Sequence, residues 1–267
     1  MKIKTVIFDL DDTLVVDEVV SRDAFKRTAE LATQSHGADA AKFAVDAARH
    51  ARALWSVSPC QPYCKSIGIS AFECLWGKFE GTSPELTQLR EWSHKYREQV
   101  FDAALRDQLI ESPSGAHDLA ETFSAERRRL QRLMPDAKET LARLAADYCI
   151  GLLTNGAPDL QREKIAASGL GSFFQAIAVS GEYGIGKPKP EIFHRLLAEL
   201  GTKPSEAVMV GNSLERDILG ARNAEVFSVW LKVPGSEEHA AVEPDRTITA
   251  LAELSSLLKN LPSEVTA

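Results

Sequence analysis

Two aspartates stand two residues apart in Asp9-Leu10-Asp11-Asp12-Thr13, directly after the apolar run Val6-Ile7-Phe8. A short apolar run that stops in acids reads as a buried strand meeting a polar loop, which puts the carboxylates at its C-terminal end. Two carboxylates spaced i and i+2 can face one cleft where the chain leaves the flat strand. Asp9 is then a candidate nucleophile and Asp11 a candidate general acid and base. The pair suits phosphate monoester hydrolysis, a reaction that needs accelerations of up to about 10²¹. Covalent catalysis divides that barrier between two steps, and Asp11 would protonate the departing alcohol oxygen and then take a proton from the attacking water. Taken alone, the same acids would serve equally as a helix N-cap or a solvated loop.

Phosphate and carboxylates repel each other, and offsetting that repulsion calls for a hard cation with oxygen ligands. Magnesium fits, with Asp9 giving a side-chain oxygen, Asp11 its backbone carbonyl, and a loop after a later strand the remaining protein ligand. Thr154-Asn155-Gly156 offers a hydroxyl and backbone N–H groups to phosphate oxygens, although the tripeptide by itself also describes a plain turn. Lys187, in Gly184-Ile185-Gly186-Lys187-Pro188-Lys189-Pro190, precedes a proline that favours extended backbone. Its ammonium can pair with Asp9 and the phosphate; Lys189 competes for that part, and either could be an ordinary surface lysine.

The elements that must hold these residues follow from the apolar runs. After the first come Tyr148 to Leu153, ending at Thr154-Asn155-Gly156; Ala176 to Val179, ending at Ser180-Gly181; Ala207 to Val210, ending at Gly211-Asn212-Ser213; and Phe227 to Leu231. Helical patterns lie between them, with Leu141, Leu144 and Ala145 after Pro135, and Ile192, Leu196, Leu197 and Leu200 after Pro190. Alternating strand and helix implies a parallel sheet covered on both faces, with ligands beyond the carboxyl ends of the strands.

From about Asp17 to Met134 the periodicity is helical throughout. Stripes run through Phe25, Thr28, Ala29, Ala32; Phe43, Ala47, Ala51, Leu54; Phe72, Leu75, Trp76, Phe79; Leu89, Trp92, Tyr96, Val100; and Leu119, Phe123, Leu130. Packing of a helical bundle accounts for such stripes. The expected organisation is a Rossmann-like α/β core, residues 1–16 and 133–267, with an α-helical cap domain, residues 17–132, inserted after the first strand. Its linkers fall near Val15 to Val19 and Leu130 to Pro135, with an internal turn at Ser112-Pro113-Ser114-Gly115.

Four segments in this order, Asp9-Leu10-Asp11-Asp12-Thr13, Thr154-Asn155-Gly156, Gly186-Lys187-Pro188 and Gly211-Asn212-Ser213-Leu214-Glu215-Arg216-Asp217, resemble the four motifs of the haloacid dehalogenase superfamily. The resemblance spans roughly residues 1 to 16 and 133 to 235. It implies a Rossmann-like core with a cap of the type inserted after the first motif (C1). It also implies Asp9 as nucleophile, Asp11 as general acid and base, Thr154 as the phosphate-binding hydroxyl, and Lys187 as the third-motif lysine. Dehalogenases of the superfamily lack an acid at the place of Asp11, so its presence favours phosphoryl transfer. One departure concerns the metal: the family usually has Asp where this chain has Asn212. Asn still offers a carbonyl oxygen, and Asp217 is expected within reach of magnesium, directly or through water.

The formal charge of −7 gives no electrostatic footprint for nucleic acid or an anionic membrane, and Arg127-Arg128-Arg129 reads as a solvated helix face. The N-terminus lacks the pattern of a signal peptide and no stretch has the length of a membrane span, so a cytoplasmic protein, monomer or homodimer, is expected. Cys60, Cys64, Cys74 and Cys149 are read as thiols; Cys60 and Cys64 with His50 or His94 lack the paired spacing of a zinc site. The function expected is hydrolysis of a small phosphorylated metabolite, such as a sugar phosphate, nucleotide or phosphorylated cofactor. A phosphomutase on the same core and a catalytically weak regulatory module are the alternatives, the second resting on Asn212 alone.

Overall fold

Six parallel strands, β1 Thr5–Phe8, β2 Cys149–Thr154, β3 Ala176–Val179, β4 Ala207–Gly211, β5 Phe227–Leu231 and β6 Arg246–Ile248, form one sheet in the order β3-β2-β1-β4-β5-β6 in the computed structural model, which describes residues 2–234 and 242–261. The first five match the apolar runs of the sequence. β6 escapes sequence reading because it is three residues long at the sheet edge and only Ile248 of it is buried.

Successive side chains of a strand point to opposite faces, and both faces are apolar here. On one, Val6, Phe8, Ile150, Leu152, Val208 and Val210 pack with Leu141 and Leu144 of the helix Ala137–Leu144 and Leu254 and Leu258 of the helix Leu254–Lys259. On the other, Ile7, Leu153, Ala178 and Met209 pack with Ile192, Phe193, Leu196 and Leu197 of the helix Pro190–Glu199. The chain groups into two units, the first comprising residues 1–16, 132–156 and 161–267. Within it the segments joining the units pair antiparallel, Val16 N–H donating to Arg132 C=O (3.0 Å) and Met134 N–H to Leu14 C=O (2.9 Å).

The second unit, residues 17–131 with 157–160, is helical. Its helices are α1 Glu18–His36, α2 Ala40–Ser56, α3 Gln61–Ile67, α4 Pro84–Arg106 and α5 Pro113–Arg129. The starts of α2, α4 and α5 follow capping chemistry: Asp39 accepts the Lys42 N–H at 2.8 Å and Ser83 the Leu86 N–H at 3.2 Å. Ser112 likewise accepts Gly115 N–H at 3.3 Å with Pro113 as the first helical residue, so the segment expected to be a turn opens α5 instead. The Phe72 to Phe79 stripe forms a short 3₁₀ turn, Glu73–Leu75, rather than an α-helix, and Phe79 at φ 56° leaves the helical region. Ala157 and Leu160 are buried in this unit's core and Glu80 N–H donates to Asp159 (3.0 Å), contacts the linear sequence does not disclose. Cys60, Cys64 and Cys74 are buried thiols, and His50 is paired with Asp107 at 2.8 Å.

Arg127 corrects the expectation of a solvated basic face. It is 1% exposed, pairs with Asp17, donates to Ser21 Oγ at 3.1 Å and lies 4.7 Å from the centroid of the Trp76 ring. Arg128 donates to the Trp76 carbonyl at 2.7 Å, and Arg129, exposed, pairs with Glu126. Removing one partner of a buried pair leaves the other charge uncompensated. Asp17→Asn should therefore lower stability by about 3 kcal/mol, the low end of the range because water reaches Asp17. A urea titration followed by tryptophan fluorescence measures it, and a midpoint within error of wild type would remove the pair from the stabilising contacts.

Candidate active site

The loop after β1 turns sharply enough to bring its acids to one place. The Leu10 carbonyl accepts the N–H groups of Leu14 (2.8 Å) and Val15 (3.0 Å), and Asp12 adopts φ 55°, a left-handed conformation that Asp tolerates better than most residues. Asp9 stays on the sheet, its N–H donating to Val210 C=O at 3.0 Å, and its carboxylate is nearly buried.

A buried carboxylate requires a partner, and Lys187 supplies it. Its Nζ donates to Asp9 Oδ1 at 2.5 Å and to the Leu153 carbonyl at 2.7 Å, and it is 2.7 Å from Asp217 Oδ1 in an ion pair. Burial pulls Lys187 down, but the carboxylates of Asp217 and Asp9 outweigh it and hold the lysine above its ordinary value, so it is an ammonium at neutral pH. Burial pushes Asp217 up, with Lys187 opposing and Asp9 adding to the shift. Lys189, the competing lysine, serves as the N-cap residue of the helix Pro190–Glu199.

Asn155 fixes the backbone of Lys187. Its Oδ1 accepts the Lys187 N–H at 2.9 Å and its Nδ2 donates to the Lys187 carbonyl at 3.0 Å. This close approach needs Gly186, where a Cβ would lie 2.7 Å from Asn155 Oδ1. The side chain of Asn155 is thereby committed to the protein, and what it can offer a phosphate is its backbone N–H. Thr154, at the end of β2, is 1% exposed and its hydroxyl has no hydrogen-bond partner. A buried hydroxyl left so costs about 1–3 kcal/mol, and a phosphate oxygen would satisfy it.

The loop after β4 begins at Gly211 and passes into a π-helical turn, Leu214–Ile218, of the kind frequent at functional sites. The wide turn packs Asp217 against Gly211, where a Cβ would lie 2.2 Å from Asp217 Oδ2. From sequence Asp217 is expected within reach of magnesium, directly or through water. In the fold its Oδ1 faces Lys187 and its Oδ2 accepts Ser213 N–H at 2.9 Å, so Asp217 anchors the lysine.

Thr13, which the sequence reading did not single out, links the nucleophile loop to the β4 loop. Its hydroxyl lies 3.3 Å from both Asp9 Oδ2 and Asn212 Oδ1. Trp230 Nε1–H donates to the Asn212 carbonyl at 2.9 Å and steadies the residue further. Asp9 Oδ2 and Asn212 Oδ1, brought to one hydroxyl in this way, are oxygen donors of the kind that a hard cation such as magnesium takes. No group of three His, Cys, Asp or Glu side chains poised for a metal occurs among the described residues.

Asp11 is met from the helix Pro158–Ser168, labelled αS hereafter because it carries the site's remaining groups. Lys164 Nζ lies 2.9 Å from each carboxylate oxygen and Gln161 Nε2 lies 3.0 Å from Oδ2. Neither residue was singled out from sequence; a polar pair three apart on an otherwise ordinary helix is the only local signal.

The model of the haloacid dehalogenase-like hydrolases matches residues 3–225. The chain belongs to this family. Among this hydrolase's relatives is the phosphoserine phosphatase of Thermus thermophilus, 39% identical over 252 residues that cover 94% of this chain and 97% of that protein. The N-acylneuraminate-9-phosphatase of Rattus norvegicus is 35% identical over 187 residues, 66% of this chain and 75% of that protein. With relatives of this kind the hydrolase is a phosphoric monoester hydrolase. Among solved structures, the HAD-hydrolase YfnB from Bacillus subtilis, described as bound to magnesium, superposes with TM-score 0.65 at 20% identity, covering 97% of this chain and 99% of that one. A 2-haloacid dehalogenase from Pseudomonas syringae gives 0.59 at 24%, covering 97% and 100%. At these identities the likeness carries the fold alone.

Proposed function

We propose that this phosphatase hydrolyses a small phosphorylated metabolite, with O-phosphoserine as the first candidate, through a phosphoryl group carried on Asp9 and with magnesium as cofactor. The observation that carries the reading is the buried arrangement of Asp9, Lys187 and Asp217 beside the unpartnered Thr154 hydroxyl. Support for phosphoserine comes from the relative of that name, whose likeness runs through the helical unit as well as the sheet.

In the first step an Asp9 oxygen bonds to phosphorus as the ester oxygen departs, and Asp11 delivers the proton that the departing alkoxide takes up. In the second, water bonds to phosphorus, Asp11 takes its proton, and the bond to Asp9 breaks to restore the carboxylate. Lys187 offsets the negative charge that gathers on Asp9 and the phosphoryl oxygens, while Thr154 holds one of those oxygens. Asp9, the Asp11 carbonyl and Asn212 would hold magnesium, which supplies further charge stabilisation to the phosphoryl group. Asp217 acts through Lys187.

Phosphate release from a panel of phosphoserine, sugar phosphates and nucleotides, with magnesium and with chelator, tests the reading. Magnesium-dependent release that is fastest from phosphoserine is expected. Quantitative isomerisation without free phosphate would replace the hydrolase by a mutase, and inertness toward the whole panel would favour a regulatory module.

Asn212→Asp should lower the half-saturating magnesium concentration roughly tenfold, because a charged oxygen holds this hard cation better than an amide oxygen does. The maximal rate should change little. Unchanged magnesium dependence would place residue 212 outside the metal's reach, and large activation from near zero would mean that the natural chain is impaired.

A further inference from the structure

The side chain of Asp11 is the one moving part that the proposed chemistry needs at two moments, and it is 24% exposed. A general acid works only if its carboxyl is held within hydrogen-bond reach of the leaving oxygen, and a short side chain open to water can rotate away. Here the rotation is restrained. Lys164 Nζ straddles the two oxygens at 2.9 Å each, and Gln161 Nε2 holds Oδ2 at 3.0 Å. Both come from one face of αS, at positions i and i+3, and both are buried, Lys164 at 1% exposure and Gln161 at none.

Gln161 Nε2 also donates to the Asn155 carbonyl at 2.5 Å, and Asn155 in turn grips the backbone of Lys187. A continuous path of polar contacts therefore runs from Asp11 through Gln161 and Asn155 to Lys187 and Asp9. The helix also starts just past Thr154, so the segment that presents the phosphate-binding hydroxyl carries the supports of the acid. Packing alone does not require an ammonium at position 164: burying a charge costs more than a methionine or leucine would there, and a paired buried charge is weak evidence of stability.

We propose that Lys164 and Gln161 are positioning residues that fix the Asp11 carboxyl group, which gives its proton to the leaving oxygen in the first step and, as the carboxylate, takes one from water in the second. The inference rests on the proposed role of Asp11 and names the groups that make that role possible.

The test compares wild type, Lys164→Met, Gln161→Met, Asp11→Asn and the Lys164→Met/Asp11→Asn double variant on p-nitrophenyl phosphate, whose leaving group needs little protonation, and phenyl phosphate, whose leaving group needs more. For Lys164→Met, kcat/KM on phenyl phosphate should fall by about 10–100-fold, the usual cost of removing an outer partner of a reacting group. On p-nitrophenyl phosphate it should fall less than about threefold, which also reports an intact fold. Gln161→Met should shift in the same sense, and Lys164→Arg should recover part of the loss. Because Lys164 acts through Asp11, the double variant should be no slower than Asp11→Asn alone. Equal losses on both substrates in Lys164→Met and Gln161→Met, or additive losses in the double variant, would overturn the proposal while leaving Asp11 as the acid. If Asp11→Asn itself lost both substrates equally, the role of Asp11 would fail first and this inference with it.

Discussion

Asp9→Asn is expected to reduce turnover by about 10⁴-fold or more, the scale on which loss of a nucleophile is felt. The amide keeps the shape of the carboxylate and lies on the same strand end, but its neutral oxygen is too weak a nucleophile to attack phosphorus. Folding should survive, because Lys187 keeps Asp217 at 2.7 Å and the Leu153 carbonyl at 2.7 Å when one of its carboxylates is gone. Two measurements separate the chemical loss from a structural one. Acid-quenched wild-type protein incubated with labelled substrate should retain alkali-labile phosphate and the variant none, while the two melting curves stay close. Turnover near the wild-type rate would remove Asp9 as the nucleophile and with it the covalent mechanism.

Lys187→Ala should be nearly as damaging, for an electrostatic reason. Loss of one preorganised group that stabilises charge in a dry site lowers kcat by about 10²–10³-fold, or ~3–4 kcal/mol, and Lys187 is a full charge facing two carboxylates. Its removal also leaves Asp9 and Asp217 buried near each other without the ammonium between them. The variant should accordingly lose stability at neutral pH. The sign of its pH dependence follows from Asp217. That carboxyl is pushed up by burial and by Asp9, with Lys187 as the opposing cause, so removing the lysine leaves the upward causes in force. In the window above the ordinary carboxylate range, the folded variant then holds a proton that the unfolded chain has released, and its stability falls as pH rises through the raised value. Thermal melts from mildly acid to neutral buffer should show the variant losing more than wild type toward neutrality. Lys189→Ala, by contrast, should leave kcat within about threefold, because that residue lies at a helix N-cap and has no part in the charge cluster. A reversal of the two effects would mean that the wrong lysine had been assigned to Asp9.

Sequence alone was enough for five of the six strands and for the polar loops at the ends of four of them. Val6-Ile7-Phe8, Ala176 to Val179 and Phe227 to Leu231 are strands in the fold because a strand covered on both faces must be apolar along its whole length, which is a local and readable property. Four of the five runs stop in polar loops, all at the carboxyl ends of parallel strands, where ligands of such sheets bind. Asp9, Thr154, Lys187 and Asn212 could be placed from those ends without knowing any contact. The helical character of most of the second unit was legible for the same reason, since its stripes keep a period close to that of the helix. What failed there, the Phe72 to Phe79 stripe, failed because apolar spacing does not reveal the backbone break that Phe79 makes at φ 56°.

Only the tertiary structure decided which partners the charged groups take. Asp217 turns to Lys187, since the wide turn after Gly211 leaves it buried with an ammonium and the Ser213 N–H in reach. Arg127 stacks on Trp76 and pairs with Asp17, 110 residues away, though its own neighbours suggest a solvated face. Lys164 meets Asp11 across 153 residues of chain, and Lys187 meets Asp9 across 178. Periodicity records which face of an element is apolar, because burial acts on every turn or every second residue. A single charge buried against one distant partner leaves no repeat in the sequence, and its role exists only once the fold has brought that partner within about 3 Å, the reach of a hydrogen bond.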